Sequence, residues 1–212
     1  MREIRTITAD DLRVEKRADG KTVIKGYAAR FNMYSETLYG YFREKIEPGA
    51  FANAIKTDDV RALFNHEAGI VLGRTPRTLE LREDDKGLWM EAEPPDTQAA
   101  RDVLVLIDRR DVTGQSFSFD LDYEDEGAET WDYADGMVTR TIKKISRLWD
   151  VGPVTYPAYP DTDVAIAQRM LIPDGVRAIA ERIKKEGLPV ARDFARLGAE
   201  RARALDLHAL DS

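Results

Sequence analysis

The sequence of 212 residues contains no cysteine and only two histidines. The absence of cysteine excludes disulfide scaffolds, thiol catalysis and the usual zinc sites built from thiolates. With so few histidines, a histidine-rich metal site is not expected either. We therefore predict no metal site and no bound cofactor.

Long apolar runs and an excess of basic residues are also missing. The first 21 residues have no apolar segment that could serve as a signal peptide, so we expect folding in a reducing cytosol and no membrane contact. The chain has 32 Lys and Arg against 39 Asp and Glu, a net charge of −7. Because binding to a phosphate backbone needs a local surplus of cations, we predict no nucleic-acid partner.

Composition is typical of a globular protein, but the charge is unevenly distributed. Residues 1–163 carry 23 basic and 32 acidic residues (−9), whereas residues 164–212 carry 9 and 7 (+2). Up to about Pro160 the pattern predicts short strands separated by turns, a short helix after Pro48-Gly49 and a longer helix over 97–110 with Thr97 as N-cap. Residues 120–135, with eight acids and no base, are predicted to be a solvated loop or hairpin tip. Residues beyond 170 predict two thinly hydrophobic helices.

Three residues are candidates for chemistry. His66 follows a predicted strand at 60–65, and any base catalysis by histidine depends on it, because His208 lies four residues from the end of the sequence; alternatively, His66 is an ordinary surface residue. Ser116 alternates with Phe117 and Phe119 on a predicted strand, which suits a rigidly held nucleophile but equally an ordinary amphipathic strand. Asp150 lies between Trp149 and Val151, where a buried carboxylate needs a partner, either an imidazole or a base such as Arg147.

Several short motifs occur in a characteristic order. They are Glu47-Pro48-Gly49-Ala50-Phe51, Asn65-His66-Glu67, Leu72-Gly73, Gly87-Leu88, Gln115-Ser116-Phe117-Ser118-Phe119 and Asp150-Val151-Gly152-Pro153-Val154-Thr155-Tyr156-Pro157-Ala158. This series, over residues 10–165, closely resembles the prohead protease family of tailed phages, which is similar in fold to the herpesvirus assemblins. The resemblance implies a serine endopeptidase that enters the procapsid, cuts the scaffolding portion of the major capsid protein and then cuts itself.

The resemblance also implies roles for the candidate residues. Ser116 matches the nucleophile and His66 the general base, while the chain departs from the family pattern at Ser118 (commonly Gly), Asp150 (commonly Glu) and Gly152 (commonly Ser). The hydroxyl of Ser118 leaves open which serine attacks. The assemblins use a second histidine as third member of the triad, and this chain has none available, so we assign that role to Asp150.

The resemblance implies a β-rich α+β fold, a partly open antiparallel β-barrel with peripheral helices. We predict a catalytic domain over 1–165 and a helical tail over 166–212 for docking or packaging, which the enzyme itself could cut. The expected partners are the major capsid protein with its scaffolding segment and further copies of this chain, inside the procapsid in the host cytoplasm. The alternative is a catalytically inactive assembly or scaffolding protein of the same fold.

Overall fold

The computed structural model describes residues 2–38, 42–134 and 137–157. These ranges contain two helices, α1 (Ala54–Thr57) and α2 (Gln98–Asp108). The strands, in chain order, are β1 (Glu3–Thr8), β2 (Arg13–Lys16), β3 (Thr22–Arg30), β4 (Phe42–Ile46), β5 (Arg61–Leu63), β6 (Val71–Arg74), β7 (Leu79–Glu83), β8 (Gly87–Ala92), β9 (Gly114–Asp120), β10 (Glu129–Ala134), β11 (Met137–Ile142) and β12 (Arg147–Val154).

The strands form three sheets. A five-stranded sheet has the order β1-β9-β12-β5-β6, a four-stranded sheet the order β2-β3-β8-β7, and a three-stranded sheet the order β10-β11-β4. Strand β12 runs parallel to β5, with Asp150 opposite Arg61 and Val151 opposite Ala62. Because parallel strands end at the same edge of a sheet, the turn after β5 lies beside the end of β12.

The predicted β-rich fold with few helices is confirmed, but its details need correction. Among the described residues the strands do not close into a barrel, and the prediction of an antiparallel arrangement is wrong for two pairs, β12 with β5 and β11 with β4. Parallel pairing requires a long connection between the strands, and more than 80 residues separate β5 from β12. The predicted tail helices lie outside the described residues.

The two helices agree with the sequence pattern to different degrees. Helix α2 begins as predicted, since the side chain of Thr97 accepts a hydrogen bond from the backbone N–H of Ala100 at 3.3 Å. Its apolar stripe, including Val103 and Ile107, is buried. Helix α1 is shorter than the pattern suggested, because residues 48–53 form turns before the helix begins.

The acidic stretch at 120–135, predicted to be a solvated loop or hairpin tip, is only partly irregular. Its second half contains β10, which pairs with β11. The carboxylate of Glu129 accepts a hydrogen bond from Arg140 Nε at 2.6 Å. A base from the following strand thus compensates an acid that has no basic neighbour in its own stretch.

Two rings on β9 fix the orientation of that strand. Phe117 and Phe119 stack with centroids 5.2 Å apart, and Phe117 meets Phe51 edge to face at 5.4 Å. All three rings belong to the main hydrophobic core. Since side chains alternate along a strand, Ser116 and Ser118 project from the opposite face of the sheet.

A buried charge cluster attaches β1 to the three-stranded sheet. Arg140 Nη1 lies 2.8 Å from Glu3 Oε2 and 2.9 Å from Glu44 Oε2. Arg5 donates to Glu44 Oε1 from Nε and to Glu3 Oε2 from Nη2, both at 2.7 Å. Burial lowers the pKa of Arg140, but Glu3, Glu129 and Glu44 together raise it well above its ordinary value. The members of this cluster are Glu3, Arg5, Glu44, Glu129 and Arg140.

Candidate active site

Ser116 lies in the middle of β9, between two strands that also contribute to the site. It is opposite Thr6 of β1 and opposite Gly152 of β12. Its residue surface is fully buried. Paired on both sides and anchored by the ring of Phe117 beneath, Ser116 is held on a rigid mount.

His66 is held by an unusual turn after β5. Both Asn65 (φ 53°) and His66 (φ 60°) have left-handed backbone conformations, which are uncommon for residues other than glycine. The Asn65 side chain donates to Thr155 Oγ1 at 3.1 Å and accepts from the backbone N–H of Thr155 at 2.9 Å. The backbone N–H of Asn65 donates to the carbonyl of Pro153 at 3.1 Å. These bonds to the end of β12 stabilise the turn that presents the imidazole.

Gly152 permits the close approach of β12 to this turn. A Cβ atom added at position 152 would lie 1.9 Å from the carbonyl oxygen of Leu63, a distance that no side chain tolerates. Glycine is therefore required here by the local packing. This contact explains physically why the chain has Gly152 where the resemblance led us to expect serine.

The structure brings the three predicted site residues into one hydrogen-bonded series. His66 Nε2 lies 2.6 Å from Ser116 Oγ, and His66 Nδ1 lies 2.5 Å from Asp150 Oδ1. When Nδ1–H donates to Asp150, Nε2 is free to accept the Ser116 proton. The Ser116 hydroxyl also lies 2.9 Å from the carbonyl oxygen of Arg5, so its single proton has two alternative acceptors.

Only the middle member of the series, His66, is partly exposed, because Ser116 and Asp150 are both buried. The side chain of Asp150 is 2% exposed and that of His66 is 18% exposed. Burial is the largest influence on Asp150 and raises its pKa, but hydrogen bonds from His66 and Ser118 and electrostatic interactions with His66 and Arg2 outweigh it. The pKa of Asp150 consequently lies below its ordinary value, which keeps the carboxylate ionised.

Ser118 does not have the contact with His66 that Ser116 has. Its hydroxyl donates to Asp150 Oδ2, the oxygen that His66 does not use. Arg2 donates to Ser118 Oγ from Nε at 3.0 Å and from Nη2 at 2.8 Å, and Nη2 also pairs with Asp150 Oδ2. With its proton on a carboxylate, Ser118 lacks the contact with an imidazole that Ser116 has. The alternative pairing of Asp150 with Arg147 is not seen, since the Arg147 guanidinium stacks 3.6 Å from the Trp149 ring centroid.

Sequence reasoning missed Arg2 and the strand that follows it. The available signal was weak: four of the five residues at 4–8 are β-branched, which favours a strand. No motif in the sequence connects Arg2 with Asp150, 148 residues away.

Other kinds of site are not apparent in the part of the chain that the structure describes. Over residues 2–38, 42–134 and 137–157, no group of three or more His, Asp or Glu side chains is arranged to hold a metal ion. Within the same ranges, no helix has the length and apolar character needed to cross a membrane.

A serine, a histidine and an aspartate joined in this order are the arrangement of a serine hydrolase. The family model of the caudovirus prohead serine protease matches residues 10–173, about three quarters of the sequence. The chain therefore belongs to the caudovirus prohead serine proteases.

Comparison with solved structures gives a more distant likeness. The chain is similar to the capsid assembly protease gp21 of bacteriophage T4, with a TM-score of 0.46 and 10% sequence identity. The alignment covers 73% of this chain and 97% of that one. No curated protein sequence matches this chain significantly.

Proposed function

We propose that this protein is the serine endopeptidase of a phage procapsid, with Ser116 as nucleophile, His66 as general base and Asp150 as the acid that orients His66. The observation that carries the proposal is the position of the imidazole, within 2.6 Å of Ser116 Oγ and 2.5 Å of Asp150 Oδ1. Membership of the prohead serine protease family supports it.

The chemistry follows from this geometry. His66 Nε2 takes the Ser116 proton as the hydroxyl oxygen attacks a peptide carbonyl, and then gives the proton to the leaving amine. Asp150 accepts the Nδ1–H bond throughout and stabilises the imidazolium that forms. A water molecule then repeats both steps on the acyl-enzyme and regenerates Ser116.

The substrate that we propose is the scaffolding portion of the major capsid protein, followed by the protease itself. Family membership supports a role in capsid maturation inside the procapsid in the host cell. Nothing observed at the site favours the alternative of an inactive assembly protein, because the left-handed turn at Asn65 and His66 holds the imidazole within hydrogen-bond distance of both Ser116 and Asp150.

Co-expression with the major capsid protein, followed by mass spectrometry of the products, tests this proposal. The wild-type chain should cut the capsid protein, and Ser116→Ala should leave it uncut while procapsids still assemble. Ser146→Ala is the matched control, because Ser146 is an exposed serine whose hydroxyl only donates to the carbonyl of Asp120 at 3.0 Å. Cleavage at the wild-type rate by Ser116→Ala would contradict the proposal.

We propose further that residues 1–165 form the catalytic domain and that residues 166–212 deliver it to the procapsid. The change of net charge from −9 to +2 near this boundary supports the division, as does the end of the family match at residue 173. A truncation ending near Met170 should fold and cleave capsid protein when mixed with it at high concentration, yet be missing from purified procapsids. An insoluble truncation, or one packaged normally, would contradict this role.

A further inference from the structure

The carboxylate of Asp150 has two sides, and the proposed mechanism uses only one of them. Oδ1 receives the Nδ1–H of His66, while Oδ2 faces Ser118 and Arg2. Since the side chain is 2% exposed, water has little access to compensate the second oxygen. The partners of Oδ2 therefore help to determine the orientation and charge of the carboxylate that His66 meets.

Arg2 determines the direction in which the Ser118 hydroxyl donates its proton. A serine hydroxyl has one proton to donate and two lone pairs to accept with. Arg2 supplies two N–H donors to this oxygen, at 2.8 and 3.0 Å, which leaves the Ser118 proton for Asp150 Oδ2. The three side chains form an ordered relay in which Arg2 orients Ser118 and both of them hold Asp150.

Strand β1 determines where Arg2 lies. Arg2 directly precedes β1, which pairs with β9 so that Ile4 is opposite Ser118. Two β1 residues, Glu3 and Arg5, are fixed in the buried charge cluster. The guanidinium of Arg2 also lies 5.5 Å from the ring centroid of Trp149, the residue that precedes Asp150 in the sequence. Pairing, ion pairs and ring contact together hold Arg2 against the site.

We propose that Ser118 and Arg2 are positioning residues of this protease, which act on catalysis by holding the second oxygen of Asp150. The inference rests on the function proposed above and assigns Ser118 a supporting role instead of that of a second nucleophile. Arg2 lies before residues 10–173, the part of the sequence that the family model matches.

Three variants separate the contributions of the hydroxyl and the charge. Ser118→Ala removes the buried donor to a carboxylate and should lower kcat by about 10- to 100-fold with little change in KM, as expected for a hydrogen bond to a charged group. Arg2→Gln should lower kcat by only about three- to fivefold, because the Arg2 side chain is 45% exposed and its charge is screened. Arg2→Lys keeps the charge without the planar fork and should fall between wild type and Arg2→Gln.

The pH dependence of kcat/KM distinguishes a positioning role of Ser118 and Arg2 from a purely structural one, because loss of a structural contact alone would not shift it. When Asp150 loses a donor or a nearby positive charge, its carboxylate attracts the imidazolium more strongly. The acidic limb of kcat/KM should therefore shift to higher pH in Ser118→Ala and Arg2→Gln, and should stay in place in Arg2→Lys. High salt should reduce the shift in Arg2→Gln.

Arg13→Gln is the matched control for Arg2→Gln. The side chain of Arg13 is 48% exposed, it faces Glu15 at 3.5 Å, and its guanidinium lies 5.5 Å from the Trp89 ring centroid. Its environment thus resembles that of Arg2 except for the link to Asp150. Arg13→Gln should leave kcat and the pH profile unchanged.

A spectroscopic measurement keeps this inference separate from the proposed function. The low-field proton resonance of His66 Nδ1–H, assigned by its loss in His66→Gln, should move further downfield in Ser118→Ala and in Arg2→Gln, because the carboxylate then attracts this proton more strongly, and should not move in Arg13→Gln. This signal needs no turnover, so it can be read even if the chain cuts nothing. An unchanged resonance and pH profile in both variants would overturn the positioning role, whereas failure of wild type to cleave would overturn the proposed function alone. If Ser118→Ala does not fold, Arg2→Gln decides, since it changes a half-exposed side chain.

Discussion

The buried charge cluster and the candidate active site are two sets of polar side chains that β1 connects. They differ in whether all of their members are charged groups paired within the protein. In the cluster, Arg5 and Arg140 are enclosed by carboxylates, and each is fully paired within the protein. In the site, the hydrogen-bonded series begins at buried Asp150 and ends at Ser116 through His66, which is partly exposed. A closed set of ion pairs has no group placed to pass a proton to a substrate, whereas a series that ends on an uncharged hydroxyl beside a partly exposed imidazole can move a proton. This division between the cluster and the site determines which substitutions should remove activity and which should remove stability.

The largest effect is expected from His66→Ala. Loss of a general base that acts as a unit with its nucleophile commonly costs about 10⁶-fold in kcat. The variant should therefore be as inactive as Ser116→Ala, with an unchanged melting temperature. Its kcat, measured on purified capsid protein, checks this; substantial turnover by His66→Ala would show that another group removes the serine proton.

Asp150→Asn should be impaired, but less severely. The amide has similar size but cannot hold the same His66 tautomer or stabilise the imidazolium, and a loss of about 10²- to 10⁴-fold in kcat is expected. Comparison of kcat and KM for the two proteins tests this expectation. Wild-type kcat in Asp150→Asn would remove Asp150 from the catalytic series and leave a dyad of Ser116 and His66.

Arg140→Met should produce the opposite pattern. It removes the ion pairs of the Arg140 guanidinium with Glu3, Glu44 and Glu129, and breaking buried ion pairs in this way costs about 3–5 kcal/mol of unfolding free energy. Turnover per folded molecule should fall far less than in His66→Ala, as shown by denaturant unfolding and by assays well below the melting temperature.

The matched control for Arg140→Met is Arg109→Met. Arg109 is 68% exposed and pairs with Asp111 at 2.8 Å, so its removal should cost less than about 1 kcal/mol. If Arg140→Met were as stable as Arg109→Met but inactive, the division between the cluster and the site would be wrong.

The smallest effect concerns acid pH. Because the pKa of Asp150 is lowered in the folded protein, its contribution to stability is complete above the ordinary aspartate pKa of about 3.9 and is lost only as the pH falls through the lower folded value. Above a pH of about 4, Asp150 should therefore add no proton to the acidic limb of kcat/KM, and the slope of that limb should not exceed one. A slope of two above this pH would show that Asp150 takes up a proton there.

The site residues could be predicted from the sequence only with the help of the family resemblance, and their surroundings could not. The alternation of Ser116 with Phe117 and the position of His66 after a strand are local patterns that predict local structure, but on their own they equally fit an ordinary strand and a surface histidine. The approach of β12 to β5 could not be predicted in the same way, because parallel pairing across more than 80 residues leaves no local signal. Arg2 was missed for the same reason: its partner Asp150 is distant in sequence and β1 is a weak strand pattern.

The acidic stretch at 120–135 also shows that a local sequence pattern does not predict contacts with a neighbouring strand. Its composition favoured a solvated loop or hairpin tip, and an absence of nearby bases is normally a sound reason for that interpretation. Yet Glu129 is on a strand and meets Arg140 from β11, which compensates the charge. Charge patterns within one segment therefore cannot predict pairing with the next strand.

Labelling with a fluorophosphonate tests the central claim most directly. This reagent reacts covalently with a serine that a neighbouring base activates, and peptide mass spectrometry then identifies the modified residue. The account predicts stoichiometric labelling at Ser116, abolished in His66→Ala and retained, though slower, in Ser118→Ala. Labelling at Ser118, or no labelling of a wild-type protein that cleaves capsid protein, would contradict it.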